Sequence, residues 1–397
     1  MGALLVVAGE ASADLHASHV VRALKRERPD LRVAGIGSDL CRAEGMEILT
    51  DSRELSLMGF TEVLGALGRV RAAFKKCLAF VDEAKPTAAL LLDFADFNLR
   101  MARELKRRGV KVIYFISPKL WAWRTGRVKL IRERVDRMLV IFPFEVDFYR
   151  SHGVTVEYVG NPSLDQLWQP PTREPSRQML QLPSDAPVIA LLPGSRRSEI
   201  QRHMAPILDA AVMLKQERPG VRFLLPRATT VSPELLSSSL EAARARDIQV
   251  QVVEGHAPEV VAAADAAVVA SGTATLEAAL VGTPMVVIYR ASWLSALIAR
   301  TMLKIAHVSL VNILARREVV KELLQERATA SEIAREVGRL LTAPASAAMR
   351  AELQSLRQSL GQPGAPERVA KVVLEVLDTG VPSPVLDVGR QPSGSAV

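Results

Sequence analysis

The stretch that decides the fold is VIALLPGSR, residues 188–196, because it repeats the order of features in LLVVAGEAS at residues 4–12. In both places an apolar run predicts a buried strand, a glycine-containing turn follows, and a helical pattern comes next. Short apolar runs alternate with helical patterns in the rest of the chain, which predicts parallel sheets with crossover helices. The sequence therefore predicts an α/β fold with two Rossmann-like domains, each built on its own parallel sheet.

The predicted strands are short, apolar and separated by helical patterns. In the first half they are Ala3–Ala8, Arg32–Ile36, Ala88–Leu92, Lys111–Ile116, Arg137–Ile141 and Val156–Val159. In the second half they are Pro187–Leu192, Arg222–Leu225, Gln249–Val253, Ala266–Val269 and Pro284–Tyr289. Ligands of open α/β sheets bind outside the carboxyl ends of the strands, so we expect the two sheets to face one another across a cleft.

Composition predicts the domain boundaries. Residues 161–186 are rich in proline and polar residues, which is typical of a linker. We therefore expect an N-terminal domain over residues 1–168 and a C-terminal domain over 169–344, with the helical stretch 345–377 returning to complete the first. Residues 378–397 are rich in glycine, proline and serine, which predicts a disordered tail.

The charge of the chain narrows the choice of partners. The 397 residues carry a net charge of +8, which suits nucleic acid, an anionic membrane face or a phosphorylated substrate. Aromatic residues make up only 5% and no nucleic-acid module signature is present, so we expect no nucleic-acid partner. Cys41 and Cys77 stand at no metal-ligand spacing and indicate reduced thiols in a cytosolic protein. No run reaches the ~18 apolar residues of a membrane span, so any membrane contact is predicted to be at the surface.

The sequence LLPGSRRSEI at Leu191–Ile200 carries the clearest phosphate signal. A strand ends at Pro193, and Gly194 and Ser195 turn the chain into a helix, so backbone N–H groups and the positive helix end face an anion. Arg196 adds a permanent charge whose fork geometry matches phosphate oxygens. The alternative is a tight strand–helix turn that carries a surface arginine.

A second turn of the same kind lies in DAAVVASGTATLEAALVGTPMVVIY, residues 265–289. Its small and hydroxyl-bearing residues open a helix after a strand and suit phosphate; they are Ser271, Gly272, Thr273 and Thr275. Glu277 lies one turn into that helix, where a carboxylate can accept hydrogen bonds from both hydroxyls of a ribose. The alternative is a helix cap with an acid in the first turn. Two such turns in one half predict a diphosphate nucleotide, with a UDP-sugar as the favoured kind.

Acidic residues follow two predicted strands of the first half. GEASAD at Gly9–Asp14 follows the first strand, and LLLDFADFN at Leu90–Asn98 places Asp93 at the carboxyl end of the third. An inverting sugar transfer needs a general base that takes the proton of the acceptor hydroxyl, and an acid at a sheet edge can serve. We therefore select Asp93 as the candidate catalytic base, while a helix N-cap is the alternative for Asp93 or Asp96.

Tryptophan and arginine stand together in ISPKLWAWRTGRVKLI, residues 116–131. Trp121, Trp123 and Arg124 could pack against a sugar or hold an anionic headgroup. A partly buried aromatic pair with solvated basic neighbours is equally consistent with this pattern.

One further candidate is Asn312, which lies in HVSLVNILARREVVKELLQE just before a predicted helix and either binds substrate or caps that helix. Metal-ligand patterns are missing from the sequence: the six histidines are scattered, and Asp93 and Asp96 are three apart instead of forming Asp-x-Asp. We therefore expect no metal and no cofactor.

Two apolar stretches with basic flanks predict membrane contact. LMGFTEVLGALGRVRAAFKKCLAF at Leu57–Phe80 carries four cations, and SWLSALIARTMLKI at Ser292–Ile305 is similar. An apolar face beside a basic flank is typical of an interfacial helix on anionic lipid, whereas a core-packed helix with a solvated basic side gives the same pattern. We expect one or both stretches to bind acyl chains or the lipid surface of the inner membrane.

Eight segments, distributed over nearly the whole range of residues 5–326, resemble the lipid-A-disaccharide synthase family and occur in the family's order. They are GEASAD, LMGFTEVL, DFADFN, SPKLWAWR, PFE, LLPGSR, ASGTATLE and SLVNILARREVVKELLQE. The resemblance implies a GT-B fold and an inverting hexosyltransferase that condenses UDP-2,3-diacylglucosamine with 2,3-diacylglucosamine 1-phosphate to give lipid A disaccharide 1-phosphate and UDP. It implies a cytoplasmic enzyme, peripheral on the cytosolic face of the inner membrane, without metal or cofactor, and leaves a homodimer open.

The resemblance also assigns residues. It makes Asp93 the candidate base and Arg196 the diphosphate contact. Other positions that match polar family residues are Glu10, Ser12, Asp14, Asn98, Arg124 and Asn312. The departures are Ala13 for the usual glycine, Asn161 for the usual histidine and Val311 for the usual proline. Asn161 can donate a hydrogen bond but cannot titrate, which leaves no proton-transfer role at that position.

Two rival functions fit parts of the sequence. Another GT-B enzyme, such as the peptidoglycan glucosaminyltransferase or a UDP-sugar epimerase, would share the nucleotide turns, but the tryptophans and the apolar basic stretches favour a lipid substrate. A non-catalytic nucleotide-binding or nucleic-acid-binding protein would fit the charge, but no groove-reading module supports it.

Overall fold

The computed structural model describes residues 2–56, 63–123, 125–228, 231–292 and 306–379. The described chain divides into two compact units. The first unit holds the residues up to Pro162 and those from Pro363 onward, and the second holds Ser163–Gln362. Within these ranges, no helix combines the length and the apolar character that crossing a membrane requires.

The first unit is built on a parallel sheet. Its strands among the described residues are β1 (Ala3–Ala8), β2 (Arg32–Gly37), β3 (Glu47–Asp51), β4 (Ala88–Leu92), β5 (Lys111–Phe115), β6 (Arg137–Val140) and β7 (Glu157–Tyr158). They lie in the order β3-β2-β1-β4-β5-β6-β7, and every neighbouring pair is parallel. The strand order reverses between β1 and β4, so the carboxyl ends of these two strands form the switch point where open α/β sheets bind ligands.

Helices connect the strands, as parallel pairing requires. The described helices up to residue 166 are α1 (Ala11–Glu27), α2 (Asp39–Ala43), α3 (Ser52–Ser56), α4 (Val63–Ala84), α5 (Ala95–Arg107), α6 (Val128–Arg134), α7 (Pro143–Ser151) and α8 (Pro162–Gln166). Those beyond it are α9 (Arg173–Met179), α10 (Arg197–Glu217), α11 (Pro233–Arg244), α12 (Ala257–Ala263), α13 (Thr273–Val281), α14 (Leu310–Ala315), α15 (Ala330–Leu340), α16 (Ala343–Ser359) and α17 (Ala365–Thr379). Single 3₁₀ turns lie at Thr125–Arg127 and Gln325–Arg327.

The first strand is buried on both of its faces. Leu5 and Val7 belong to the core that α4, α5, α6 and α7 cover, whereas Leu4 and Val6 belong to the core beneath α1 and α17. Successive side chains of a strand point to opposite faces, so helices on both sides demand apolar residues at every position. This explains the unbroken apolar run that opens the chain.

The second unit repeats the arrangement. Its described strands are β8 (Val188–Leu192), β9 (Arg222–Arg227), β10 (Val250–Glu254), β11 (Ala266–Ala270), β12 (Met285–Tyr289) and β13 (Lys321–Leu324). They lie in the order β10-β9-β8-β11-β12-β13 and are parallel throughout. The switch point of this sheet lies at the carboxyl ends of β8 and β11.

The predicted architecture of two parallel sheets with crossover helices is confirmed. The strand limits predicted from the sequence lie within one or two residues of the observed ones. The sequence does not predict β3 and β13, which lie at the edges of their sheets. Each has one buried residue, Thr50 and Leu323, so neither presents the apolar run that marks a central strand.

Residues 161–186 differ from the predicted linker, because from Ser163 onward they belong to the second unit and form α9 and most of α8. Arg177 of α9 is only 1% exposed. Its Nη2 donates to the Asp265 carboxylate at 2.8 Å and its Nε donates to the Ala263 carbonyl at 3.0 Å. Its Nη1 donates to three carbonyls, those of Pro183, Ser184 and Ala186. Along the chain, the boundary between the two units falls after Pro162, earlier than the predicted limit at residue 168.

The C-terminal helices divide between the two units, whereas the sequence groups 345–377 with the first. α16 lies in the second unit, where Arg350 and Arg357 donate to the carbonyls of Gly282 and Leu280 at 2.8 and 3.0 Å. α17 lies in the first unit and packs against α1. The two helices separate at Gly361–Gly364, where both glycines have positive φ and a helix cannot continue.

Candidate active site

A strained turn follows β4 at the switch point of the first sheet. Leu92, the last residue of β4, pairs with Ala8, the last residue of β1, so the loops after both strands begin side by side. Asp93 and Phe94 both adopt the left-handed conformation, with φ of 45° and 41°. That conformation costs about 1–2 kcal/mol for each residue other than glycine, so the surrounding structure must hold the turn.

Three interactions hold the backbone of this turn. Tyr114, fully buried on β5, donates its hydroxyl hydrogen to the Asp93 carbonyl. Asn98 Nδ2 donates to the carbonyls of Leu92 and Asp93 at 3.0 and 2.9 Å. The Phe94 ring stacks on that of Phe97 at a centroid distance of 5.2 Å. Asn98 therefore contacts the backbone of the candidate base, and its amide nitrogen is committed to that contact.

The loop after β1 is shaped by the same turn. A Cβ added to Gly9 would lie 2.3 Å from Cδ1 of Phe94, so only glycine fits beneath the ring. Glu10 is the N-cap residue of α1, but its side chain makes no capping hydrogen bond. Ser12, in the first turn of the helix, is exposed. Because Gly9 and Phe94 interlock, the first residues of α1 are placed next to Asp93.

The N-cap alternative for the two aspartates is not realised. α5 begins after Phe94, and no side chain caps it. Asp96 is exposed and its carboxylate pairs with Arg127 at 2.7 Å. Asp93 is half-buried and directly follows β4, at the carboxyl end of that strand.

Asp14, a predicted substrate contact, has a structural role. It is 1% exposed and accepts hydrogen bonds from the amide and the hydroxyl of Ser38, each at 2.5 Å. These bonds fix the turn between β2 and α2. In this structure both oxygens of the Asp14 carboxylate are paired with Ser38 and the side chain is buried.

The tryptophans differ in their surroundings. Trp121 packs edge-on against Phe144 at 5.0 Å, whereas Trp123 is 40% exposed. Arg124, also predicted as a substrate contact, lies outside the described residues. The structure therefore leaves Trp123 as the member of the pair that a sugar or lipid could reach.

Glu145 is a buried acid near this segment that the sequence gives no role. It is 2% exposed, and its carboxylate accepts hydrogen bonds from the amides of Ile141 and Phe142 at 3.1 and 3.0 Å. Burial raises the pKa of Glu145 to about 7, and the two N–H groups oppose that rise. Glu145 thus ties the end of β6 to the first turn of α7.

The two predicted phosphate turns lie side by side in the second unit. Leu192 of β8 pairs with Val269 of β11, so the turns after these neighbouring strands begin together. They flank the switch point of the second sheet, which is where a nucleotide binds in doubly wound folds. The proximity of the turns that the sequence singled out supports one shared ligand.

The first turn departs from the prediction because a carboxylate of the chain already occupies its amides. Glu199 Oε2 accepts hydrogen bonds from the N–H groups of Ser195 and Arg196 at 3.0 and 3.2 Å. Gly194 has a φ of 118°, and a Cβ there would lie 2.3 Å from Glu199 Oε2, so the loop wraps around this carboxylate. The Arg196 side chain is 71% exposed and lies 3.5 Å from Glu199 Oε1. The exposed guanidinium, not the two amides, is the group available to an anion.

The second turn is closed by its own hydroxyls. Ser271 Oγ donates to the Val308 carbonyl at 3.2 Å, and the buried Thr275 Oγ1 donates to the Gly272 carbonyl at 2.7 Å. Thr273 is exposed at the first position of α13. Burial raises the pKa of Glu277 on the same helix. Thr273 and the start of α13 therefore remain as the exposed part of this turn.

Asn312 is buried, and the residue that caps its helix is Ser309. It lies within α14, and its Nδ2 donates to the Val320 carbonyl and to Glu322 Oε1, both at 2.8 Å. Its Oδ1 accepts from the amides of Val319 and Val320 at 2.7 and 2.9 Å. Four bonds exhaust a primary amide, so Asn312 holds the connection to β13 and has no group left for substrate.

Among the described residues, no group of three or more histidine, cysteine, aspartate or glutamate side chains is placed to hold a metal ion. The candidate groups are instead a half-buried aspartate in the first unit and, in the second unit, exposed cationic and hydroxyl groups at helix N-termini.

Comparison with known proteins covers nearly the whole chain. The family described as Lipid-A-disaccharide synthetase matches residues 4–376. A lipid-A-disaccharide synthase of Myxococcus xanthus (strain DK1622) is 48% identical over 378 residues, which is 95% of this chain and 98% of the relative. One from Geobacter metallireducens is 42% identical over 380 residues, covering 94% of this chain and 97% of the relative.

Solved structures with low sequence identity share the fold. The UDP-GlcNAc 2-epimerase of Neisseria meningitidis, bound to UDP-GlcNAc, aligns with a TM-score of 0.59 at 13% identity and covers 95% of this chain and 99% of its own. Acinetobacter baumannii MurG aligns with a TM-score of 0.57 at 15% identity, covering 94% and 99%. With the two parallel sheets, these neighbours confirm the GT-B fold expected from the sequence.

Proposed function

Because the chain belongs to the Lipid-A-disaccharide synthetase family, we propose that it transfers 2,3-diacylglucosamine from UDP to the 6-hydroxyl of 2,3-diacylglucosamine 1-phosphate. The observation that carries the proposal is the family match over residues 4–376, which includes both switch points. The likeness to epimerases and to MurG concerns the fold alone, so it does not favour their reactions over this one.

Asp93 is the proposed general base. Its carboxylate takes the proton of the acceptor hydroxyl while that oxygen attacks the anomeric carbon of the donor. The bond from that carbon to the diphosphate breaks, and UDP leaves with the electron pair. Attack from the face opposite UDP inverts the anomeric centre and gives the β-1,6 linkage. The strained turn supports this role, because residues in such conformations cluster where the fold must place a side chain for function.

The donor diphosphate is proposed to bind at the paired turns of the second sheet. Arg196 supplies a permanent charge, and the first amides of α10, those of Arg197 and Ser198, have no acceptor within the helix. Thr273 and the N-terminus of α13 lie beside them across the switch point. Charge that develops on the departing UDP would be stabilised by these groups without a metal. Glu199 keeps the first turn in shape while Arg196 stays exposed.

A mass-spectrometric assay tests the substrates directly. The protein is incubated with UDP-2,3-diacylglucosamine and 2,3-diacylglucosamine 1-phosphate, and disaccharide 1-phosphate and UDP are measured together. We expect equimolar formation of both products, and none when either acylated sugar is replaced by its unacylated form. Release of UDP without disaccharide would point to hydrolysis, and turnover of UDP-GlcNAc alone would point to an epimerase; either result would overturn the proposal.

A lipid substrate requires that the enzyme reach the inner membrane, and α4 is the proposed contact on the cytosolic face. Its four cations are exposed and none forms an ion pair among the described residues; they are Arg69, Arg71, Lys75 and Lys76. Anionic lipid attracts such a cluster by about 1 kcal/mol per cation. Two aromatic side chains of the helix are not available for this contact: Phe74 packs against Phe97 at 5.4 Å, and Phe80 is 4% exposed.

The membrane contact of the described part of α4 is therefore proposed to be electrostatic. Residues 57–62, and all of the predicted stretch 292–305 except Ser292, lie outside the described residues. Reversal of the four charges to glutamate should abolish co-sedimentation with vesicles of anionic phospholipid at low salt. Vesicles of zwitterionic phospholipid are the control, and unchanged binding of the variant to anionic vesicles would refute this surface.

A further inference from the structure

His203 lies behind the first phosphate turn and is one of the few fully buried polar residues of the second unit. It belongs to α10 and is 0% exposed. Its Nδ1 lies 2.7 Å from the Pro193 carbonyl, and its Nε2 lies 2.9 Å from the amide of Arg290. The imidazole thus bridges the residue before Gly194 and the residue after β12.

The two contacts fix the state of the ring. A carbonyl only accepts and an amide N–H only donates, so Nδ1 carries the hydrogen and Nε2 is unprotonated. Only this neutral tautomer makes both bonds, whereas a protonated ring would set an Nε2–H against the N–H of Arg290. Burial lowers the pKa of His203, which favours the neutral form.

The bridge spans the switch point of the second sheet. Strand β11 lies between β8 and β12, and the second phosphate turn follows β11. The amide of Ser271, at the start of that turn, donates to the Ile288 carbonyl of β12 at 3.0 Å. His203 therefore joins the outer two of three neighbouring strand ends, while Ser271 joins the middle one to β12.

We propose that His203 is a positioning residue for the donor site: it holds the Pro193–Arg196 turn at a fixed distance from the end of β12, so that Arg196 and the start of α10 meet the diphosphate of the UDP-sugar. The inference rests on the proposed function, since it assigns the turn to the donor. His203 itself does not contact the donor, because it is buried beneath the turn.

Two charged groups act on the ring. Glu199, one helical turn earlier on α10, raises the pKa of His203, while Arg290 lowers it. The Tyr289 ring lies 5.6 Å away and completes the enclosure. Burial outweighs the effect of Glu199, so the bridge persists at neutral pH and is lost only as the pH falls through the lowered pKa of His203, below the ordinary histidine value of 6.5.

Two substitutions separate the two bonds. In His203→Asn the amide nitrogen takes the place of Nδ1 and keeps the Pro193 contact, and in His203→Gln the amide oxygen takes the place of Nε2 and keeps the Arg290 contact. Each variant leaves one buried group unpaired, so we expect the KM for the UDP-sugar and the Kd for UDP to rise about 10-fold, with kcat within about 2-fold. His256→Asn, at an exposed histidine of the same unit, is the matched control and should change neither constant.

The outcomes distinguish this inference from the proposed function. Binding of UDP is measured by calorimetry and melting curves verify folding. If the unaltered protein neither binds UDP nor forms disaccharide, the proposed function fails. If it does both, and the Asn and Gln variants bind UDP with unaltered Kd, His203 is only a packing residue and the inference fails. As the pH falls through the lowered pKa of His203, the unaltered protein should also lose affinity for UDP, and this loss should be absent from His203→Gln; the same acid loss in that variant would contradict the bridge.

Discussion

Asn98→Ala tests whether the turn that carries Asp93 is held by specific hydrogen bonds. The substitution removes the donations from Nδ2 to Leu92 and Asp93, at 3.0 and 2.9 Å. Each bond contributes about 0.5–1.5 kcal/mol, so about 2 kcal/mol is lost, while Tyr114 still contacts the Asp93 carbonyl. The strain of two left-handed residues is of similar size, about 2–4 kcal/mol, so the weakened turn is expected to relax.

Relaxation should move the base more than it unfolds the protein. We expect kcat to fall by about 10- to 100-fold, because a displacement near 1 Å has effects of this size, with the KM for the UDP-sugar unchanged. The loss of about 2 kcal/mol should lower Tm by roughly 4–8 °C. Steady-state kinetics and calorimetry measure the two effects in the same preparation.

Arg100→Ala is the matched control, because Arg100 lies two residues further along α5 and is exposed. It should leave kcat unchanged and shift Tm by no more than about 1–2 °C, which is the shift expected for a substitution at an exposed position. If Asn98→Ala lowers Tm but keeps kcat, the bonds stabilise the unit without positioning the base. If neither quantity changes, the turn is not held in the way the structure indicates.

Three further predictions concern buried or closely packed residues whose substitution should change the stability of the folded protein. Gly9→Ala sets a Cβ 2.3 Å from the Phe94 ring and should destabilise the protein by about 1–3 kcal/mol and reduce kcat, as calorimetry and kinetics would show; an unchanged Tm would contradict the close approach. Arg177→Leu leaves the Asp265 carboxylate without its buried partner and should cost about 3 kcal/mol in urea unfolding, and a loss below 1 kcal/mol would refute the proposed anchor. The pKa of Glu145 is raised to about 7, so the folded state binds the proton of this carboxyl group more tightly than the unfolded state does. Protonated Glu145 therefore stabilises the folded protein most below the ordinary pKa of 4.5, and this stabilisation is lost as the pH rises to about 7. Glu145→Gln should therefore gain in Tm relative to the unaltered protein between pH 5 and 8, and parallel melting curves would contradict this.

The sequence reveals the strands and turns that repeat a local pattern. The apolar run of β1 and the strand–glycine–helix order at Gly194 are local features, and both keep their predicted positions in the structure. The edge strands β3 and β13 are exceptions, since their sequences, EILTD and KELL, combine a few apolar residues with charged ones and show no apolar run. Parallel pairing then places Gly194 and Gly272 together, which local sequence alone does not require.

Side-chain partners are the part that sequence could not supply. In the sequence, Tyr114 is one residue of a buried, mostly apolar strand. The pairing of β5 with β4 is what brings its hydroxyl to the Asp93 carbonyl. Glu199 has the spacing of a helix-capping acid, three residues after Arg196, and that spacing could have warned that the amides are occupied. The four hydrogen bonds of Asn312 reach residues up to ten positions away. Its neighbours in the sequence do not reveal these partners, so Asn312 could be predicted as a substrate contact.

The measurement that tests the account most directly is the effect of Asp93→Asn on turnover and on UDP affinity. Asparagine tolerates the left-handed conformation of this turn and has nearly the size of aspartate, so the fold should be kept while the base is lost. The account predicts that disaccharide formation falls by about 10²–10⁴-fold while the Kd for UDP is unaltered. Near-normal formation of disaccharide by the folded variant would contradict the assignment of Asp93 and with it the proposed chemistry.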